Sequence, residues 1–388
     1  MKSWDLKEFK VEPLDGRSRF HDFNLPIILM HAISDLGFQY CSPIQARTLP
    51  YTLRGHDIVG KAQTGTGKTA AFGLPILHHV NANSDKIQAL ILSPTRELVQ
   101  QIKKQLFKFT KFSKTQIFVE AVFGGEKIDR QMNNLKRTTH IVVATPGRLI
   151  DLIERGSIDI SHVKTVILDE ADEMLSMGFK QDLNRILKFT TESDRKTWLF
   201  SATMPEEIKR IVKTYMDSNA PRIEVNRNSL VNANIRHHFA KTTLKEKIND
   251  IVIFLEKRQD QRGIIFCRTK AGAQNLANFL IEEGFSAGAL EGDMQQKERD
   301  KVMRAFKKEN LQYLVSTDVS ARGIDVSGLE FVIHHQLPEQ LDYYTHRSGR
   351  TARAGKTGLS LAFILPSEIS RIHEIQKELN IKFSEVTV

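Results

Sequence analysis

Three stretches carry residue types that could handle a nucleotide. In AQTGTGKT, 62–69, Gly67 lets a backbone approach a phosphate, Lys68 supplies a cation and the Thr69 hydroxyl can ligand Mg2+. The general phosphate loop is Gly, four free positions, then Gly-Lys-Ser/Thr, and here Ala62 holds the first place. In VKTVILDEAD, the apolar residues Val163, Val166, Ile167 and Leu168 read as a buried strand that delivers Asp169 at its carboxyl end, where a Mg2+ ligand belongs. Glu170 beside it can orient or deprotonate an attacking water. In YYTHRSGRTARAG, Arg347, Arg350 and Arg353 recur every three residues, so on a helix they share a face offering forked donors to a phosphate. Each has a bland counterpart: a chance Gly-Lys-Thr triplet, acids at a helix start, a solvated basic helix. Loop and acid together favour a nucleotide site.

These residues need a frame. Short apolar runs alternate with longer amphipathic segments, the pattern of a parallel sheet covered by helices. The expected strands include HDIVGKA, IQALILSP, THIVVATP, VKTVILDE and KTWLFSAT, and later GIIFCRT and LQYLVSTD. Ligands in such folds collect at the carboxyl ends of strands, where the polar residues sit. The rhythm lapses in the Asn-rich stretch around 219–233, which reads as a linker. The expected organisation is a flexible extension at 1–19, an α/β domain at 20–218, the linker at 219–233, and a second α/β domain at 234–388. A second Gly355-Lys356-Thr357 triplet lacks a preceding apolar strand and reads as a decoy.

Composition narrows the class. With 388 residues, 40% hydrophobic and 26% charged, the chain can bury two cores, which argues against disorder. A formal net charge of +10 permits an acidic partner, nucleic acid being the commonest. Cys41 and Cys267 lack metal-ligand spacing, and no apolar run approaches membrane-spanning length. The cytoplasm is the expected location.

With Asp169-Glu170-Ala171-Asp172 spelling DEAD, the chain resembles a bacterial-type DEAD-box ATP-dependent RNA helicase from about Phe20 to Leu365, with motifs in the family's order. The resemblance implies two tandem RecA-like domains of the P-loop NTPase type. It accounts for Ala62, since an alanine-first loop is usual there, and makes Gln63, Thr64, Gly65 and Thr66 part of the ATP site. It implies that Phe38 of GFQYCSPIQ stacks on adenine, with Phe20 as an associated aromatic, and that Gln45 bonds the base edge. An amide matches adenine's N6 and N7. Ser201-Ala202-Thr203 resembles the motif coupling hydrolysis to domain movement, together with Asp172. By family position Arg350 and Arg353 are arginine fingers, worth on the order of 10³ to 10⁵ in rate; His346 and Arg347 organise them, and Gly323 and Asp325 approach the ribose.

The same resemblance implies RNA contacts at Pro94, Thr95 and Arg96, at Gly124 and Gly125, and at Thr145, Pro146, Gly147 and Arg148. In the second domain it implies them at Arg268 and Thr269, at Gly292, Gln296 and Arg299, and at Thr317 and Asp318. Arginines, hydroxyls and exposed amides suit a sugar-phosphate backbone. Ala352 stands where glycine is frequent, and Glu291 precedes Gly292 where histidine is common. The expectation is a monomeric, RNA-dependent ATPase with ATP and Mg2+ at the domain cleft, closing on single-stranded RNA and separating duplexes locally. The alternative is an ATP-gated RNA clamp with little unwinding. Target RNA and protein partners, such as degradosome or ribosome-assembly proteins, are not specified by the sequence.

Overall fold

The computed structural model describes residues 4–62, 65–225, 234–321, 329–352 and 357–388, the side chains of Val319 and Asp342 aside. Gln63, Thr64, Gly323, Asp325 and Arg353 lie outside the described residues, as does the expected linker beyond 225. The chain divides into two units, Met1–Val225 and Asn226–Val388.

The first unit holds strands β1 (Ile58–Lys61), β2 (Ala89–Leu92), β3 (Val119–Val122), β4 (Ile141–Ala144), β5 (Thr165–Leu168), β6 (Lys196–Ser201) and β7 (Arg222–Glu224). They pair in parallel in the order β3-β4-β2-β5-β6-β1-β7. Successive strand residues point to opposite faces, and both faces are buried. Ile91, Ile141, Val143, Ile167, Trp198 and Phe200 pack on one side against the helices Ile27–Asp35, Pro43–Thr52, Lys68–His79 and Arg96–Phe109. Leu90, Leu92, Val142, Ala144, Val166, Leu168 and Leu199 pack on the other, against Pro146–Glu154, Lys180–Phe189 and Glu206–Tyr215. A sheet covered on both faces leaves its polar ligand chemistry to the strand ends.

The second unit repeats the plan with β8 (Ile235–Lys241), β9 (Gly263–Phe266), β10 (Ala287–Leu290), β11 (Tyr313–Ser316), β12 (Phe331–His334), β13 (Gly358–Ile364) and β14 (Phe383–Glu385). Their order is β10-β11-β9-β12-β13-β8-β14, again all parallel.

Three expectations change. Residues 219–225 belong to the first unit: Ile223 is buried, and β7 pairs along β1, so an isolated inward apolar residue between polar ones was an edge strand. Helix geometry does not carry the arginines onto one face, because the helix Leu341–Ser348 ends before Arg350 and Arg347 is turned inward, 2% exposed. Residues 4–19, read as flexible, are docked. Trp4 stacks on His31 at 4.5 Å and His31 on Phe112 at 3.5 Å; the His21 ring meets the Phe9 carbonyl at 2.8 Å, and the Tyr40 hydroxyl donates to that of Glu12 at 2.8 Å. Trp4 and Phe9 pack against the core beneath the helix Ile27–Asp35.

Phe9→Ala should therefore lower the stability of the first unit by about 1–2 kcal/mol, the value of a partly buried aromatic. Thermal melting of the full chain reads this as a drop in the first unit's transition; an unchanged melt contradicts the docking.

Candidate functional site

The sheet order of the first unit sorts the chemistry along one edge. At the carboxyl ends of β5, β6 and β1 stand Asp169–Asp172, Ser201–Thr203 and the Ala62–Thr69 loop; at those of β2, β4 and β3 stand Pro94–Arg96, Thr145–Arg148 and Gly124–Gly125. The residues expected at a phosphate and those expected at an RNA backbone thus occupy opposite halves of a single sheet.

On the first half, the Ala62 N–H donates to the Ser201 carbonyl at 2.9 Å, tying the loop's start to β6. Gly67 caps the helix Lys68–His79 at φ 92°, a left-handed conformation, and Gly65 has φ 83°. A Cβ on Gly67 would lie 2.5 Å from Gln45 Nε2, so glycine is required by both backbone and neighbour. Gln45 itself is buried, donating from Nε2 to the Gly67 carbonyl at 3.0 Å and accepting from the Ser42 N–H at 2.8 Å. The amide expected to read a base is also the strut between that segment and the loop. Phe20 is buried and lies 6.5 Å from the half-buried Phe38, offset-parallel at 24°, so Phe20 backs the ring expected to stack.

Lys68 and Asp169 face each other at 3.7 Å, each side chain 6% exposed. Burial works against the Lys68 ammonium, but Asp169, Glu170 and Asp172 outweigh it and hold its pKa above the usual value. Burial pushes the Asp169 carboxyl up to about 6 against the pull of Lys68. Asp169 Oδ1 makes no hydrogen bond. Glu170 is buried at φ 52°, a rare conformation for a side-chain-bearing residue. Asp172 and the Ser-Ala-Thr turn form a closed ring: Asp172 Oδ2 accepts from the Thr203 N–H at 2.8 Å and from its hydroxyl at 2.9 Å. Ser201 Oγ accepts from the Asp172 N–H at 3.2 Å and donates to the Thr203 carbonyl at 2.7 Å. Ala202 is the spacer of that ring.

On the second half, the Thr95 hydroxyl caps the helix Arg96–Phe109, and Pro146 opens the helix Pro146–Glu154 with Gly147 in its first turn. The arginines brace a turn. Arg148 donates to the Glu126 carbonyl at 3.0 Å and the Arg96 guanidinium lies 5.3 Å from the Phe123 ring. Gln131, which sequence reasoning missed, clasps Phe123 through both its carbonyl (2.9 Å) and N–H (3.2 Å). Gly124 and Gly125 are exposed, and a Cβ on Gly124 would meet nothing within 4 Å. A backbone surface is thereby held open.

In the second unit, Gly292 follows β10, Thr317 and Asp318 follow β11, and Arg268 and Thr269 follow β9, so three adjacent strand ends carry them. Arg268 and Thr269 are exposed, with the Thr269 hydroxyl capping the next helix at 3.0 Å. Gln296 bonds Asp300 at 2.7 Å, and Arg299 bonds the Glu291 carbonyl at 3.1 Å and that of Ser320 at 3.4 Å. Thr317 is buried and bonds Ser320 at 3.0 Å. Asp318, expected to face RNA, receives the Arg347 guanidinium in fork geometry at 2.5 and 2.6 Å. Arg347 also donates to the Gln336 carbonyl at 2.8 Å and lies 5.1 Å from the Phe266 ring. Arg350 is buried just past the helix end, and His346 is half-buried on its last turn.

Behind Arg347 runs a polar network missed from sequence. His334 meets Ser360 at 3.0 Å, Ser360 meets Ser348 at 2.9 Å and Tyr344 at 3.2 Å, and Tyr344 meets His237 at 2.7 Å. A histidine inside the apolar run FVIH was its one visible signal.

The chain matches the family described as DEAD/DEAH box helicase over residues 42–211 and the helicase conserved C-terminal domain over 244–355. It is 42% identical to the DEAD-box ATP-dependent RNA helicase CshA of Geobacillus kaustophilus (strain HTA426), covering 92% of this chain and 76% of that one. With the Bacillus subtilis (strain 168) protein of the same name it shares 41%, covering 92% and 72%. Among solved structures, S. cerevisiae Dbp5 bound to RNA and ADP BeF3 is similar with a TM-score of 0.86 at 30% identity, covering 95% of each chain. A DEAD box protein from Methanococcus jannaschii has a TM-score of 0.56 at 38% identity, covering 95% and 99%.

The buried histidines of the second unit predict a pH dependence. Burial pushes His237 down to about 4, with His238 adding repulsion, and holds His334 well below its ordinary value, with Arg347 and His237 adding to it. The unfolded chain protonates these rings near 6.5, so below that pH it binds more protons and the fold loses stability as pH falls toward 4. For His237 alone the loss is about 3 kcal/mol, roughly 2.5 pH units at 1.36 kcal/mol each. The urea midpoint of this unit should fall between pH 7 and 4.5, and fall less in His237→Phe; a flat profile contradicts the assignment.

Proposed function

Because the chain belongs to the DEAD-box family of ATP-dependent RNA helicases, we propose that it hydrolyses ATP in response to RNA and uses the cycle to open short duplexes and remodel RNA or ribonucleoprotein. The observation that carries this reading is the buried Lys68–Asp169 pair beneath the Gly67 turn. A cation and a carboxylate oxygen without a hydrogen bond are held at the start of the helix Lys68–His79, as a phosphate chain with its metal requires.

The residues fit Mg2+: Asp169 Oδ1 is a buried, hard donor without a hydrogen bond, and the Thr69 hydroxyl follows Lys68 on the same helix. Thr69 and Asp169, the latter through water, would hold the ion, whose chemistry is to neutralise charge on the phosphates. Lys68 binds phosphate oxygens. Glu170 orients the attacking water and accepts its proton. Gln45, Phe38 and Phe20 take the adenine, with Gly323 and Asp325 toward the ribose. Arg350 and Arg353 compensate charge on the transferred phosphoryl group, and Arg347 and His346 fix the segment that carries them. The Asp172–Thr203 ring, two residues on from Glu170, ties the acidic segment to the end of β6, which is the contact through which hydrolysis would be coupled to the Ser201–Thr203 turn.

RNA lies along the ends of β2, β4 and β3 in the first unit and of β9, β11 and β10 in the second. The groups there are backbone amides, hydroxyls and arginines, which recognise sugar and phosphate. The reading is completed by action as a monomer in the cytoplasm.

Glu170→Gln should retain ATP and RNA binding while turnover falls by orders of magnitude, read by RNA-stimulated ATPase and a filter-binding assay; normal turnover removes Glu170 from the mechanism. Arg350→Ala should cut the catalytic rate with little change in ATP affinity. Strand displacement with ATP against a non-hydrolysable analogue separates a helicase from a clamp, and stimulation by DNA but not RNA overturns the substrate class.

A further inference from the structure

The helix Arg96–Phe109 meets the candidate RNA groove with its first residue and carries an unused surface at its other end. From Lys103 to Lys114 the chain reads KKQLFKFTKFSK, with five lysines and no acid. Leu106 and Phe109 are buried in the core, while Lys104, Phe107 and Lys108 are exposed at i, i+3 and i+4, followed by exposed Lys111 and Lys114. Phe107 is 73% exposed. The neighbouring acids are largely engaged: Glu120 bonds Lys103 at 3.0 Å, Asp35 holds Lys111 at 2.8 Å, and Glu97 sits 3.8 Å from Arg96. Among the described residues, Lys104, Lys108 and Lys114 have no acidic partner.

A lone exposed phenylalanine is ordinary. One ring framed by lysines on a single helix face has the composition of a single-strand site, where a base stacks on the ring and ammonium groups follow the phosphates. Lysine is depleted at protein–protein interfaces, which weighs against a protein partner. The run from Arg96 to Phe107 is about 17 Å of helix, so a strand leaving the groove near Arg96 and the Gly124–Gly125 turn can follow it.

We propose that Lys104, Phe107, Lys108 and Lys114 form an auxiliary binding site for single-stranded RNA that extends the groove of the first unit. The proposal rests on the RNA reading above. It adds affinity for RNA tails without taking part in hydrolysis, so it favours substrates with single-stranded extensions over blunt ones.

The test compares two RNAs, one short enough to occupy only the groove and one carrying a single-stranded tail at either end, by fluorescence anisotropy with a non-hydrolysable ATP analogue. The wild-type chain should bind the tailed RNA more tightly. Phe107→Ala should lose roughly 5- to 100-fold on the tailed RNA alone. The pair Lys104→Gln and Lys108→Gln should reduce the slope of log affinity against log salt by about 0.7 per lysine. The ATPase rate at saturating short RNA should not change. Equal wild-type affinity for both RNAs, or equal losses on both in the variants, overturns the proposal. Failure of the underlying RNA reading looks different: the short RNA would neither bind nor stimulate ATPase in the wild-type chain.

Discussion

Lys68 and Asp169 are shut away from water 3.7 Å apart, and much of the first unit serves to hold them there. Removing either charge from water costs several kcal/mol, and their mutual attraction offsets this only in part. The carboxyl's upward shift records that burial outweighs its partner, while the lysine, facing three acids, remains firmly charged. At 3.7 Å they are an ion pair without a close hydrogen bond, and Asp169 Oδ1 is left with unused acceptor capacity. A pair optimised for stability would close that gap. This one is arranged for charges that arrive with the ligand.

The same trade appears in the backbone. Glu170 and Ala352 both adopt positive φ, 52° and 55°, where a side chain costs on the order of 1 kcal/mol. Glu170 caps the helix Ala171–Ser176, and its unusual backbone turns the chain so that Asp169 ends a strand while Asp172 reaches the Ser201–Thr203 turn. Ala352 follows Thr351, which bridges to Leu329, and its positive φ makes a bend just past the helix Leu341–Ser348. The glycine frequent in the family at this position has a physical reason, and alanine here holds the bend more stiffly at a cost in stability. Among the described residues Glu309 and Asn380 also have positive φ, but both sit at the C-terminal ends of helices, where a left-handed residue is common, whereas Glu170 and Ala352 lie in segments that carry proposed catalytic groups.

How much of this could be read from the letters depended on the range of the interaction. The strands carrying Asp169 and Ser201 announced themselves as apolar runs ending in polar residues, and the loop, the acids and their order named the family. β3, with a glutamate at its centre, and β7, with one inward isoleucine, gave no such run, and both are edge strands whose burial is partial. The docking of Trp4 and Phe9 depends on a surface made by helices further along the chain. Gln45 was legible as a polar residue at a helix start, but its strut to Gly67 spans 22 positions and belongs to the fold. Arg347 shows the limit of spacing arguments: three arginines at equal intervals suggest one face, yet one is buried against Asp318 and the helix ends before the next.

Burial of Arg347 also bears on how recognition and chemistry are connected within the second unit. Asp318 stands at the end of β11 among the groups proposed for RNA, and its two oxygens are taken by the residue that lies three positions before Arg350. Arg350 donates its own N–H to the Arg347 carbonyl at 3.1 Å. A displacement of Asp318 on contact with a phosphate backbone would therefore be felt at Arg350 through one ion pair and one main-chain bond, with the His334–Ser360–Tyr344 network behind Arg347 resisting any sideways relaxation. A fork-shaped ion pair transmits rotation as well as distance, because both its bonds must move together. Lysine at 347 would keep the charge but lose that constraint, and the link between the RNA-facing strand end and the arginine segment would become compliant.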